Sequence, residues 1–181
     1  MISVGRFEKV TLNEYKKARR KMDPSITDGR IRQEYDSIVI PTRATAGSAG
    51  YDIAVPYDVY PGMMVKGQIK LPTGLRFVPY PVTDSMGNLR LFVLKLFVRS
   101  STGTKKGWVL SNSTGIVDSD YADADNEGHI YICLTPNGLE EHKSFEVNEP
   151  ICQGVFEEVF CVDEFAVTAS RVGGFGSTSC R

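Results

Sequence analysis

Two kinds of hydrophobic pattern divide the chain. Near the amino terminus Leu12, Tyr15, Ala18 and Met22 recur at helical spacing, while Lys16, Lys17, Arg19, Arg20 and Lys21 line the other side. Thr11 is placed as N-cap with Glu14 three residues on, the arrangement of a capping box, and Val10 and Tyr15 are spaced for a hydrophobic staple. Pro24 supplies a stop. From Tyr35 onward the texture changes to short apolar or alternating runs, at residues 37–40, 51–55, 67–71, 74–78, 89–98, 108–110, 129–134, 151–156 and 165–168. Gly, Pro, Asn and Asp punctuate them, and few later segments are long enough for a helix. Residues 79–88 read as a loop before the longest strand. Many short strands between turns, without internal repeats, predict an all-β, jelly-roll-like sandwich or barrel with an added N-terminal helix. The expected division is a helical extension over 1–34, a β domain over 35–170 and a flexible, glycine-rich segment over 171–181.

Composition narrows the class. The 181 residues suffice for one full domain and are short for two. With 41% hydrophobic and 24% charged residues the chain is of ordinary globular make-up. A net charge of -1 offers no support for a nucleic-acid binder, so no nucleic-acid partner is expected. The charge is uneven, however: residues 1–34 carry nine Lys/Arg against five Asp/Glu. Cys133, Cys152, Cys161 and Cys180 form no CxxC pair and no metal-ligand spacing, and three lie in apolar surroundings suited to buried free thiols. No run approaches the roughly 20 apolar residues of a membrane span, and no export signal precedes the body, so a cytoplasmic protein is expected.

Four segments carry candidate chemistry. Gly115-Ile116-Val117-Asp118-Ser119-Asp120-Tyr121 gathers two carboxylates, a glycine and an aromatic. Held by a turn, such a carboxylate can polarise an attacking water or hold a sugar hydroxyl; equally, it can be a solvated hairpin. Arg99-Ser100-Ser101-Thr102-Gly103 ends a strand with the guanidinium, hydroxyl and N–H groups that receive phosphate oxygens, or forms a plain turn. Arg171-Val172-Gly173-Gly174-Phe175-Gly176-Ser177-Thr178 sets one aromatic among glycines, which fits either a lid stacking on a base or a disordered tail. Asp52 begins an apolar strand after Gly47-Ser48-Ala49-Gly50 and is compatible with a structural role or with orienting a solvated metal.

Taken in order, these segments resemble the five motifs of the homotrimeric dUTPase family over about residues 36–179. Ala49-Gly50-Tyr51-Asp52-Ile53 is similar to the first, Arg99-Ser100-Ser101 to the second and Asn112 to Tyr121 to the third. Asn148-Glu149-Pro150-Ile151-Cys152-Gln153 is similar to the fourth, and Arg171 to Thr178 to the fifth. The resemblance implies the all-β, jelly-roll-like dUTPase fold (β-clip) and hydrolysis of dUTP to dUMP and pyrophosphate. It assigns Asp118 to the attacking water, with Asp52 supporting the carboxylate and metal environment. Tyr121 would pack under the deoxyribose, and the hairpin from Asn112 through Gly115 and Val117 would read uracil. Arg99, Ser100, Ser101 and Gln153 would hold phosphates. Phe175 would stack on the base while Arg171, Gly176, Ser177 and Thr178 close over the distal phosphates. Mg2+ would be held through phosphates and water rather than by direct protein ligands, in a homotrimer with sites at subunit interfaces.

Three departures accompany the resemblance. A longer acidic loop, residues 122–127, follows Tyr121 where family members turn back within two residues. Pro150 stands where the family often has Arg or Lys, and Arg171 lies one residue closer to the aromatic than in the commonest tail. The N-terminal helix and the 122–127 loop are candidate surfaces for a protein partner, which would make the chain a nucleotide-gated regulatory module. The nearest enzyme alternative, a dCTP deaminase, needs a Glu where this chain has Cys133. His129 and His142 are the only histidines and are expected to be structural.

Overall fold

The computed structural model describes residues 2–139, 141–160 and 162. The backbone is organised around antiparallel pairing. Strand β6 (Leu89–Val98) lies between β10 (Pro150–Val159) on one side and the shorter β5 (Val82–Thr83) and β8 (Gly115–Val117) on the other. β2 (Tyr51–Ala54) extends this sheet along β10. A second sheet joins β3 (Ile69–Pro72), β9 (Tyr131–Pro136) and β7 (Trp108–Leu110). Side chains from both sheets, including Ile53, Leu71, Leu94, Leu96, Trp108 and Ile132, fill one core. Their alternating placement follows from the period of two along a strand, which sends every second residue inward.

The strand pattern read from the sequence reappears with small shifts, and two expectations need correction. Residues 37–40 form no strand. The N–H of Ser37 bonds to Gln33 and Glu34 carbonyls and that of Ile38 to Tyr35, so the end of a preceding helix has already used these groups. The 79–88 loop contains β5, folded onto the start of β6 by a turn in which Asp84 accepts from the N–H groups of Met86 and Asn88. Residues 165–168 lie outside the described residues.

The amino-terminal segment holds more than the one helix expected. β1 (Gly5–Lys9) pairs antiparallel with β4 (Leu75–Pro79), α1 (Leu12–Met22) follows, and α2 (Asp28–Asp36) begins at an N-cap on Thr27. Tyr15 of α1 is fully buried, and its hydroxyl donates to Glu34 of α2 at 3.2 Å. Arg19 is buried too. It forms an ion pair with Glu34 at 2.7 Å and lies 4.0 Å over the ring of Tyr57, so the helical layer is tied to the β core by a charge that keeps its partners.

Only half of the expected capping box forms. Thr11 Oγ1 accepts from the Glu14 N–H at 3.2 Å, but the Thr11 N–H donates to Glu127, at 2.7 Å, and not to Glu14. Glu14 turns inward toward His129, whose Nδ1 lies 3.5 Å away. His129 Nε2 accepts from the Gly74 N–H at 2.9 Å, which leaves the proton on Nδ1, facing the carboxylate. Burial pushes the His129 pKa down to about 4 from 6.5, with Glu127 opposing and Lys70 reinforcing the shift. Burial pushes Glu14 upward, against the pull of Lys17.

A pH dependence follows. Between pH 6.5 and about 4 the unfolded chain protonates His129 while the native chain leaves it neutral, so its contribution to stability falls as pH falls through that window. The loss is on the order of 2–3 kcal/mol. Glu14, holding its proton more firmly when folded, contributes the opposite slope. Denaturant unfolding of the native sequence and of His129→Gln from pH 7 to 4.5 should show a flatter profile for the variant; identical slopes would refute the assignment.

Candidate active site

At the end of β6 the chain turns at Arg99 into a short helix, α3 (Ser100–Thr104). Two anchors fix this turn. Thr102 is buried and its hydroxyl donates to the Ile151 carbonyl at 2.7 Å, while the Arg99 N–H donates to the same carbonyl. Ser100 and Ser101 therefore open α3 at a fixed position, where the first N–H groups of a helix lack intrahelical partners.

Opposite them, β2 and β10 bring Asp52 and Gln153 into register as neighbours. Asp52 pairs with Arg99 at 3.1 Å through the guanidinium Nε. That geometry leaves the remaining guanidinium donors for a ligand. Gly50 is required here for space: a Cβ on it would overlap Gln153 Oε1 and lie 3.1 Å from Gln153 Cβ. Together these groups line an open pocket of about 570 Å3. Ser48, Thr104 and Lys105 also line it, and the sequence reading missed them. Lys105 follows the Arg99-Ser100-Ser101 segment closely, and a second cation beside that turn was the available signal.

The other expected groups lie on and around β8, the strand that pairs with β6. β8 runs beside β6 with Val117 opposite Leu94 and Gly115 opposite Leu96. A Cβ on Gly115 would come within 3.0 Å of Leu96, so the close approach of the two strands depends on glycine. Val117 is buried and leaves only its backbone for recognition; β8 pairs with no strand but β6 among the described residues. Asn112 is exposed in the turn before β8, where Ser113 takes a left-handed conformation with φ 61°. Asp118 is exposed at the start of the 3₁₀ turn Ser119–Asp123, and its carbonyl accepts from the Tyr121 N–H. Tyr121 is buried. Its hydroxyl donates to the His129 carbonyl at 3.0 Å and accepts from Asn126 at 2.9 Å.

The structure thus brings Asp52, Arg99, Ser100, Ser101 and Gln153 together, and separately groups Asn112, Gly115, Val117, Asp118 and Tyr121. Arg99 lies five residues along β6 from the partner of Val117, roughly 17 Å of strand. Arg171, Phe175, Gly176, Ser177 and Thr178 lie outside the described residues. Among the described residues no three His, Cys, Asp or Glu side chains converge as a metal-binding group, and no helix is long and apolar enough to cross a membrane.

Residues 36–179 match the family model for dUTPase. The chain is 41% identical over 145 residues to the deoxyuridine 5'-triphosphate nucleotidohydrolase of Lactococcus lactis, covering 78% of this chain and 88% of that one. It is 35% identical over 164 residues to the Pasteurella multocida protein of the same name, covering 87% and 96%. The crystal structure of dUTPase from Streptococcus mutans superposes with a TM-score of 0.57 at 31% identity, covering 88% of this chain and 99% of that one.

Gly50→Ala should push the Gln153 side chain out of the pocket. Calorimetric titration with inorganic triphosphate should then show about tenfold weaker binding, the loss of one hydrogen bond to a charged ligand. The unfolding temperature should barely change, because the Gln153 side chain moves into solvent. Unaltered affinity would remove Gln153 from the phosphate contacts.

Proposed function

The chain belongs to the dUTPase family, and from that premise we propose how its two groups of residues share the hydrolysis of dUTP to dUMP and pyrophosphate. The observation that carries the reading is their separation along β6. An α-phosphate must lie within hydrogen-bond reach of its anchors and about one water away from the base that activates the nucleophile. Arg99 and Asp118 of one copy do not meet that condition, whereas Arg99 of one copy and Asp118 of another can. A homotrimer with sites at subunit interfaces supplies the pairing, since a closed ring repeats the same junction at each boundary.

In this reading Arg99, Ser100, Ser101 and Gln153 hold the phosphates, and Asp52 keeps the Arg99 guanidinium aimed at them. Asn112 and the backbone of Gly115 and Val117 recognise uracil, and Tyr121 closes the space a ribose 2'-hydroxyl would need. The water oxygen bonds to the α-phosphorus as its bond to the oxygen bridging the β-phosphate breaks. Pyrophosphate leaves with the electron pair, and Asp118 takes the water proton. Arg171, Phe175, Gly176, Ser177 and Thr178 would close the site as a lid.

dUTPases generally need a divalent metal ion, and we take it to be Mg2+ here. The donor set fits an ion held by phosphate oxygens and water, because the pocket contributes one carboxylate, Asp52, already paired with Arg99. Such an ion offsets phosphate charge. A deaminase reading is weaker: Cys133 is half-buried, and burial pushes its thiol up, away from acid–base work at neutral pH. A cytoplasmic setting suits a nucleotide substrate, and the described cysteines Cys133 and Cys152 are free thiols.

Asp118→Asn should lower kcat for pyrophosphate release from dUTP by roughly a thousandfold. Arg99→Ala should be nearly inactive as well. Unfolding and refolding the two variants together should restore roughly a quarter of the native rate through mixed sites, as random assembly of shared junctions dictates. No recovery on mixing would mean that each copy completes its own site.

A further inference from the structure

The N-terminal helix and the acidic loop, the two features that the hydrolysis leaves without a task, are joined to each other. Glu127 grips the start of α1 with both carboxylate oxygens: Oε2 accepts from the Thr11 N–H at 2.7 Å and Oε1 from the Thr11 hydroxyl at 2.6 Å. It does so from a left-handed backbone, φ 59°, a conformation that non-glycine residues seldom adopt. The next residue, Gly128, also has positive φ, and a Cβ there would lie 2.8 Å from Ala122 Cα and from the Tyr121 carbonyl. The loop is therefore folded flat against the segment that carries Tyr121. On its inner side Asn126 donates to the Tyr121 hydroxyl, which itself donates to the His129 carbonyl.

We propose that Glu127 is a positioning residue for sugar selection: by clasping Thr11 it fixes the 122–128 loop, and through Asn126 it fixes the ring of Tyr121. The N-terminal segment thereby becomes part of the machinery that separates deoxyribonucleotides from ribonucleotides. The inference rests on the assignment of Tyr121 to the sugar under the proposed function. A mobile ring tolerates an additional hydroxyl; a ring braced from two sides excludes it. Displacements near 1 Å at such a contact are enough to change rates substantially.

Glu127→Gly removes the carboxylate while easing the backbone, so it should fold, and Glu127→Gln keeps an oxygen able to accept from the Thr11 N–H. The assay is kcat/KM for dUTP and for UTP with Mg2+, beside amide hydrogen exchange over residues 119–129. Glu127→Gly should lower the dUTP/UTP ratio by about tenfold, mostly through a gain on UTP, with faster exchange in the loop. Glu127→Gln should recover most of the ratio. A native ratio in Glu127→Gly, whatever its exchange or unfolding temperature, overturns the inference and leaves the clasp a structural tie. Native protein without dUTP hydrolysis would overturn the proposed function first, and this inference with it. Unchanged exchange in the loop would overturn the inference alone.

Discussion

The pairing of β6 with β10 is the constraint on which the rest of the structure depends. Their register runs from Cys152 opposite Val98 to Val159 opposite Leu91. A ladder that long is stiff, so whatever is attached to its two ends stays apart. Arg99 leaves one end, and β8 is attached at Leu94–Leu96, from where it runs away from Arg99 toward Asp118. The same stiffness that keeps the two groups of residues apart makes each of them well defined.

The pocket around Arg99 shows how few side chains define such a site when backbone geometry is fixed around them. β10 shifts register against β2 between Pro150 and Cys152, and the Ile151 carbonyl receives both the Arg99 N–H and the Thr102 hydroxyl. Pro150 fits as the first residue of a strand, where its missing N–H costs little. Asp52 spends one guanidinium donor to hold Arg99 in place, an arrangement that favours orientation over maximum positive charge. Lys105, exposed at the rim, adds charge without a fixed geometry.

The amino-terminal layer is built on a different principle. A buried ion pair, Arg19 with Glu34, and ring packing of Tyr15 on Tyr35, at 5.8 Å between ring centres, join its two helices, and Arg19 over Tyr57 ties them to the core. Charges taken out of water hold only one arrangement well, so this layer docks in a defined orientation. That orientation aims the start of α1 at Glu127 and sets His129 between Gly74 and Glu14. Packing of the helices and the shape of the loop next to Tyr121 are consequently one problem and not two.

What could be read from the sequence was what local periodicity and local chemistry encode. The strand runs at residues 89–98 and 129–134, the N-cap at Thr11 and the grouping of Arg99 with its serines all act over a few residues, and all are present in the structure. Residues 37–40 misled because their apolar run continues past a helix end whose carbonyls claim the N–H groups a strand would need. β1 was missed because its partner β4 lies about seventy residues away, and a strand is stabilised by that partner more than by its own composition. The same reason hid Glu127 as the cap of a helix 116 residues before it. Only the tertiary structure placed Arg99 and Asp118 apart, the first after the end of β6 and the second after β8, which pairs along the middle of β6. Sequence order gives the identities of the groups, but distance between them is decided by the register of strands that meet only when the whole chain has folded.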